Sequence, residues 1–89
     1  MFEYDPDKSA ANLAKHGIDF EQAQALWRDD WRLEIASGGG PEQRWLAIGK
    51  IEDRHWTAIY TMREACVRII SVRRSRANEV REYARQDPN

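Results

Sequence analysis

The chain has 89 residues, 33% of them charged, and a formal net charge of −1. A chain of this length buries only about 60–65% of its unfolded surface, so residues 1–89 are expected to form a single domain around a thin core. No apolar run is long enough to cross a bilayer and no charged-then-apolar leader opens the chain; one cysteine and two histidines make neither an internal disulfide nor a zinc set, and the cytoplasm is the expected compartment.

"MFEYD" places Phe2 and Tyr4 at strand spacing. "DPDKSAANLAKHG" then has helix grammar, with Asp5 at the N-cap, Pro6 in the first turn and Gly17 at the left-handed stop. In "IDFEQAQALWRDD", Asp19 and Gln22 form a capping-box pair, and Phe20, Ala23, Leu26 and Trp27 form the apolar stripe of a second helix. "WRLEIAS" predicts a strand, and "GGGP" (Gly38 to Pro41) a flexible loop. "QRWLAIGKIE", "HWTAIYTMR" and "CVRIISVRR" predict three more strands, joined so tightly at Asp53-Arg54 and Glu64-Ala65 that neighbours must be antiparallel. Ser75 is the expected cap of a last helix, with Ala77, Val80, Tyr83 and Ala84 at helical spacing. The fold class is α+β, a small antiparallel sheet with an N-terminal helix pair and a C-terminal helix.

The near-neutral total hides a division. Residues 1–43 carry four Lys/Arg and nine Asp/Glu, and residues 44–89 carry ten and six, so −5 stands against +4. Such asymmetry points to a polyanionic or charged partner, or to two halves that pair with each other.

Two-residue turns let a face be computed. Glu52 then opposes His55, Arg44 opposes Arg63, Arg63 opposes Cys66 and Thr61 opposes Arg68. Because opposed and alternate residues share a face, Arg44, Arg63 and Arg68 gather at one end of one face. With them fall Leu46, Ile48, Lys50, His55, Thr57, Ile59, Ile70, Val72 and Arg74. The other face, with Trp45, Ala47, Ile51, Trp56, Ala58, Tyr60, Met62, Val67 and Ile69, is the expected core side. Clustered arginines need local acids, for which Glu42, Glu64, Glu79 and Glu82 are available, or an anionic ligand. Phosphate suits them, since planar guanidinium matches its oxygens two at a time.

Three stretches, "FEYDPDKSAANLAKHGIDF", "QRWLAIG" and "RIISVRRSRANEVREY", together resemble the BrnT family of toxins across nearly the whole chain, with the "KHGIDFEQA" and "RIIS.RR" blocks the most specific. The resemblance implies a RelE-like fold and a metal-independent ribonuclease that halts translation, with no cofactor. It also implies a BrnA-type ribbon-helix-helix antitoxin, through which the pair would bind operator DNA.

Cleavage by attack of a ribose 2′-hydroxyl on the adjacent phosphate needs a proton acceptor, a proton donor and positive charge at the phosphorane. Arg44, Arg63 and Arg68 are the candidates for the charge. Lys8 and His16, on the first helix, are candidate catalytic partners, although a cation at a helix C-terminus also serves as a cap. His55 lies eight residues from Arg63 on one strand, about 26 Å, too far to serve the same phosphate. Arg73, Arg74 and Arg76, at the strand–helix junction, and Tyr83, which can stack on a base or pack on the sheet, are the candidate RNA contacts. Trp45, Trp56 and Trp27 are expected in the core, and Trp31 is either core or an antitoxin anchor. The competing expectation is a catalytically inactive module whose basic face only docks an acidic antitoxin segment and aids operator binding.

Overall fold

The structure, a computed structural model, describes residues 1–38 and 40–86, so Gly39 of the expected glycine loop lies outside the described residues. After a short strand β1 (Phe2–Glu3) the chain enters α1 (Pro6–His16). The Asp5 carboxylate accepts the Asp7 N–H at 2.8 Å, and Gly17, at φ 82°, closes the helix on the Leu13 carbonyl. Asp19 and Gln22 cap α2 (Phe20–Ala23) reciprocally, as their spacing predicts. The helix expected to run on to Trp27 instead tightens after one turn into a 3₁₀ segment, Gln24–Arg28. The tightening delivers Asp29 to the sheet, where its carboxylate accepts the N–H groups of Lys50 and Trp31 at 2.8 and 2.9 Å.

The strands β2 (Leu33–Ser37), β3 (Arg44–Ile51), β4 (Arg54–Arg63) and β5 (Cys66–Arg74) form an antiparallel meander, followed by α3 (Ala77–Ala84). The sheet has five strands in the order β1-β5-β4-β3-β2, and β1 lies parallel to β5, so it is mixed where a wholly antiparallel sheet was expected. The helices between β1 and β2 carry the chain from one edge of the sheet to the other, which leaves β1 beside the last strand of the meander. On the face they cover, Ile18, Phe20, Ala23 and Leu26 bury against Ala47, Trp56, Ala58, Tyr60, Ile69 and Val72. Gly49 permits that contact, because a Cβ there would meet Leu26 at 3.1 Å. Trp27 packs edge-on between Phe2 and Tyr60, and Trp45 lies against the same core.

Side chains finish both sheet edges where the flanking strands stop short. At the β5 edge the Asn12 amide accepts the Val72 N–H at 3.1 Å and donates to the Val72 carbonyl at 2.9 Å, as a neighbouring strand would. It also holds the Ile18 carbonyl at 2.8 Å. At the β3 edge Asp29 takes the Lys50 N–H.

Two features of the register depart from the computed face. Ile51 pairs with Arg54, so the first turn is Glu52-Asp53 rather than Asp53-Arg54, with Glu52 at φ 57°. The shift is two residues, so every side chain keeps its face, but Trp45 now pairs with Tyr60 and Arg44 falls beside Thr61 instead of Arg63. In the second hairpin Arg63 pairs with Cys66 and Thr61 with Arg68, as expected, until a bulge passes over Ile70: Tyr60 pairs with Ile69, but Ile59 pairs with Ser71. One extra residue exchanges the faces of everything after it. Val72 therefore drops into the core, Arg74 follows it to the side under α1 and α2, and Ser71 and Arg73 turn to the opposite face, part of which α3 covers over Ile48 and Thr57.

Candidate functional site

The bulge brings Arg73 beside Thr57 on the face that α3 partly covers, where that helix begins. Ser75 does not cap that helix. Its hydroxyl is engaged with Thr57 at 2.8 Å, and Arg76 takes the N-cap position with its N–H bonded to the Glu79 carboxylate at 2.8 Å. Glu79 is 6% exposed and forms a two-toothed pair with Arg73, Nη1 to Oε1 and Nη2 to Oε2 at 2.9 Å each. Thr57, fully buried, donates its hydroxyl to Glu79 Oε1 at 3.0 Å. Because Thr57 has a single hydroxyl hydrogen, Ser75 must be the donor in the Ser75–Thr57 bond, and the chain runs Ser75 to Thr57 to Glu79.

Beside the Ser75–Thr57 pair, which does not line it, opens a cavity of about 580 Å³. Leu46 and Ile59 make its floor, Arg73, Arg76 and Glu79 one side, and Arg44 with Ser37 and Gly38 the other. Three arginines and one glutamate thus line a single space. Hydrogen bonding from Arg73, working against burial and helped by the Arg76 N–H and Thr57, holds Glu79 down at a pKa of about 2. The same bond raises Arg73 above the ordinary arginine value. At any physiological pH the cavity therefore carries a net positive charge.

The expected triad divides. Arg44 lines the cavity, while Arg68 reaches the other way to Glu3 on β1 at 2.9 Å. Arg63, at the end of β4, makes a single contact of 3.4 Å with Glu42. Of the expected RNA contacts, Arg73 and Arg76 line the cavity, and Arg74 lies over the Trp56 ring at 5.4 Å on the covered side. Tyr83 is buried, donates its hydroxyl to Asp29 at 2.6 Å and sets its ring edge-on to His55. Burial pushes the Asp29 carboxyl up, but the Tyr83 hydroxyl and the Lys50 and Trp31 N–H groups outweigh it and hold the group below its usual range.

Lys8 is exposed on α1, and His16 is half-buried at the end of that helix. Gly17, next to His16, borders a separate cavity with Glu52, Arg54 and Trp56 at the tip of the β3–β4 hairpin. That tip lies seven residues along β3 from Arg44, about 23 Å. Trp31, 45% exposed, borders a third cavity together with Arg28 and Lys50.

In the sequence Glu79 stands out only as one of the available acids, and neither Thr57 nor Ser75 is marked as part of a site. The one legible signal was the position of Glu79, three residues after Arg76 at the start of a helix, where a carboxylate reaches back to the N-cap N–H.

A family profile described as the ribonuclease toxin BrnT of the type II toxin-antitoxin system matches residues 4–79. The chain belongs to the BrnT family. The match runs from Tyr4 before α1 to Glu79 in α3, so it takes in the whole BrnT meander and the strand–helix junction that builds the cavity. No curated protein matches the chain significantly. As a BrnT toxin it belongs to a family of ribonucleases of type II toxin-antitoxin systems, and membership implies an RNA substrate and an antitoxin partner. Among the described residues of this BrnT chain, no helix is long and apolar enough to cross a membrane.

Proposed function

We propose that the protein is a metal-independent endoribonuclease toxin that cleaves RNA by attack of a ribose 2′-hydroxyl on the adjacent phosphate and so inhibits translation in the cytoplasm. The observation that carries this reading is the convergence of Arg44, Arg73 and Arg76 on one cavity with a single carboxylate. The scissile phosphate sits among these guanidinium groups, which remain charged at every cellular pH and stabilise the extra negative charge of the phosphorane. Leu46 and Ile59 provide an apolar floor for a base or ribose.

Acid–base assistance is the smaller part of this scheme. Glu79, at a pKa of about 2, is too weak a base to take a proton from a hydroxyl near neutrality. No histidine or lysine lines the cavity among the described residues. Rate enhancement then comes from positioning and charge, and the rate lacks the bell-shaped profile of a paired acid and base near pH 7. The partner in this reading is a BrnA-type ribbon-helix-helix protein that neutralises the toxin and carries it to operator DNA.

The test is incubation of the purified chain with an RNA oligonucleotide in excess chelator. Cleavage that leaves a 2′,3′-cyclic phosphate, and that a 2′-O-methyl group at the cut site abolishes, is the expected result. The absence of a basic acceptor in the cavity favours one second reading, an inactive module that docks an acidic antitoxin segment there. Intact RNA, with tight antitoxin binding that Arg44→Ala weakens, would establish that reading instead.

A further inference from the structure

We propose that Glu79 is a positioning residue that acts through Arg73, locking one edge of its guanidinium so that the other edge is presented as a two-donor fork to a phosphodiester oxyanion in the cavity. The inference rests on the reading of the cavity as an RNA-phosphate site, and it concerns which donors make the contact.

A guanidinium has five N–H donors in one plane. Glu79 takes one hydrogen from Nη1 and one from Nη2, along the edge between those two nitrogens. The Arg74 carbonyl takes the second Nη1 hydrogen at 3.3 Å. The Nε hydrogen and the second Nη2 hydrogen remain, and no group among the described residues accepts from either. They are parallel neighbours on the other edge of the same plane, the pairing that meets two oxygens of one phosphate. Arg73 lines the cavity, so an oxyanion there can take both.

The lock is itself held from three directions. Thr57 donates from β4, the Arg76 N–H from the start of α3, and Ser75 fixes the Thr57 hydroxyl from the turn between β5 and α3. Arg44 and Arg76, by contrast, are exposed, and no carboxylate among the described residues fixes either head group. Arg73 is therefore the pre-oriented donor of the cavity, and it owes that orientation to a carboxylate whose oxygens are already engaged by Arg73, Thr57 and the Arg76 N–H.

The proposal is tested by a double-mutant cycle of Glu79→Gln and Arg73→Lys, measured as kcat and KM on an RNA oligonucleotide, with thermal melts to define the folded range. Glutamine keeps the size and one acceptor of Glu79, and lysine keeps the charge of Arg73 without its fork. Arg73→Lys is expected to lower kcat about 100-fold, the scale of losing an aligned transition-state donor. Glu79→Gln is expected to lower kcat about tenfold with KM unchanged or reduced, since the fork loosens while the cavity gains positive charge. In the Arg73→Lys background Glu79→Gln should change nothing further. Equal losses in both backgrounds, or a near wild-type rate for Arg73→Lys, would overturn the proposal. If the wild-type chain cuts no RNA, the enzymatic reading fails by itself, and the same cycle is then read as affinity for a fully 2′-O-methylated oligonucleotide. An effect of Glu79→Gln confined to the Arg73 background supports the positioning role, and equal effects in both backgrounds overturn it.

Discussion

Two groups of arginines on one side of the sheet meet opposite fates. Arg63 and Arg68 lie toward the hairpin end and the β1 edge, and each is matched to its own glutamate, Glu42 and Glu3. Arg44, Arg73 and Arg76 converge on a cavity with one carboxylate for all three, and that carboxylate is committed to Arg73. Density of arginine in the sequence does not separate the groups. What separates them is how many guanidinium groups share each acid, and whether the acid is buried firmly enough to hold its partner still. The Arg73–Glu79 pair is two-toothed, with side chains 20% and 7% exposed, whereas Arg63 meets Glu42 through one 3.4 Å contact between side chains about half exposed.

The comparison breaks most readily at Arg73. Arg73→Ala leaves the Glu79 carboxylate buried without its counter-charge, and about 3 kcal/mol of folding stability should go with it, measured by urea unfolding at pH 7. Arg68→Ala removes a pair that is partly open to water, and should cost no more than about 1 kcal/mol. A similar loss at both positions would show that the two groups are held alike.

Acid reads the same pair in another way. Glu79 has its folded pKa lowered from 4.5 to about 2, so its contribution is complete above the unfolded value and is lost as pH falls through the folded one. The window runs from about pH 4.5 to 2, and the loss across it is about 3 kcal/mol. Glu79→Gln should flatten that part of the stability–pH curve. A curve as steep in the variant as in the wild type would assign the acid loss to other carboxylates.

Much of the architecture was legible because local chemistry agreed with the global fold. Asp5, Pro6 and Gly17 bound α1, Asp19 and Gln22 start α2, and the short turns force the meander. The face under α1 and α2 was also readable on β3, β4 and the first half of β5, whereas the burial of Ile48 and Thr57 on the opposite face, where α3 packs, was not. The bulge at Ile70 was not, because "RIISVRR" alternates equally well with or without an extra residue, and only the fit of Val72 into the core selects the bulged form. That one residue decides whether Arg73 or Arg74 faces the cavity, so the site was less legible than the fold. Asn12 was hidden for a related reason. A polar residue inside a helix looks like surface until the edge of β5, sixty positions later, supplies the N–H and carbonyl it satisfies.

The smallest effect is expected at Arg63, and it is the most discriminating between a face that is merely basic and a site that is built. If charge on the face opposite α1 and α2 were enough, Arg63→Ala and Arg44→Ala would weaken RNA binding equally, since each removes one cation from the same face. The structure distinguishes them, because Arg44 borders the cavity and Arg63 stands at the strand end beside Glu42. Arg63→Ala should therefore leave both stability and kcat/KM within about twofold of wild type, the scale of an exposed pair. Arg44→Ala should lower kcat/KM by about tenfold or more through loss of a charged donor to phosphate. Both are read from RNA cleavage at fixed ionic strength, since counterion release makes the comparison meaningless otherwise. Equal losses at the two positions would return the function to the whole basic face and dissolve the distinction between the two groups.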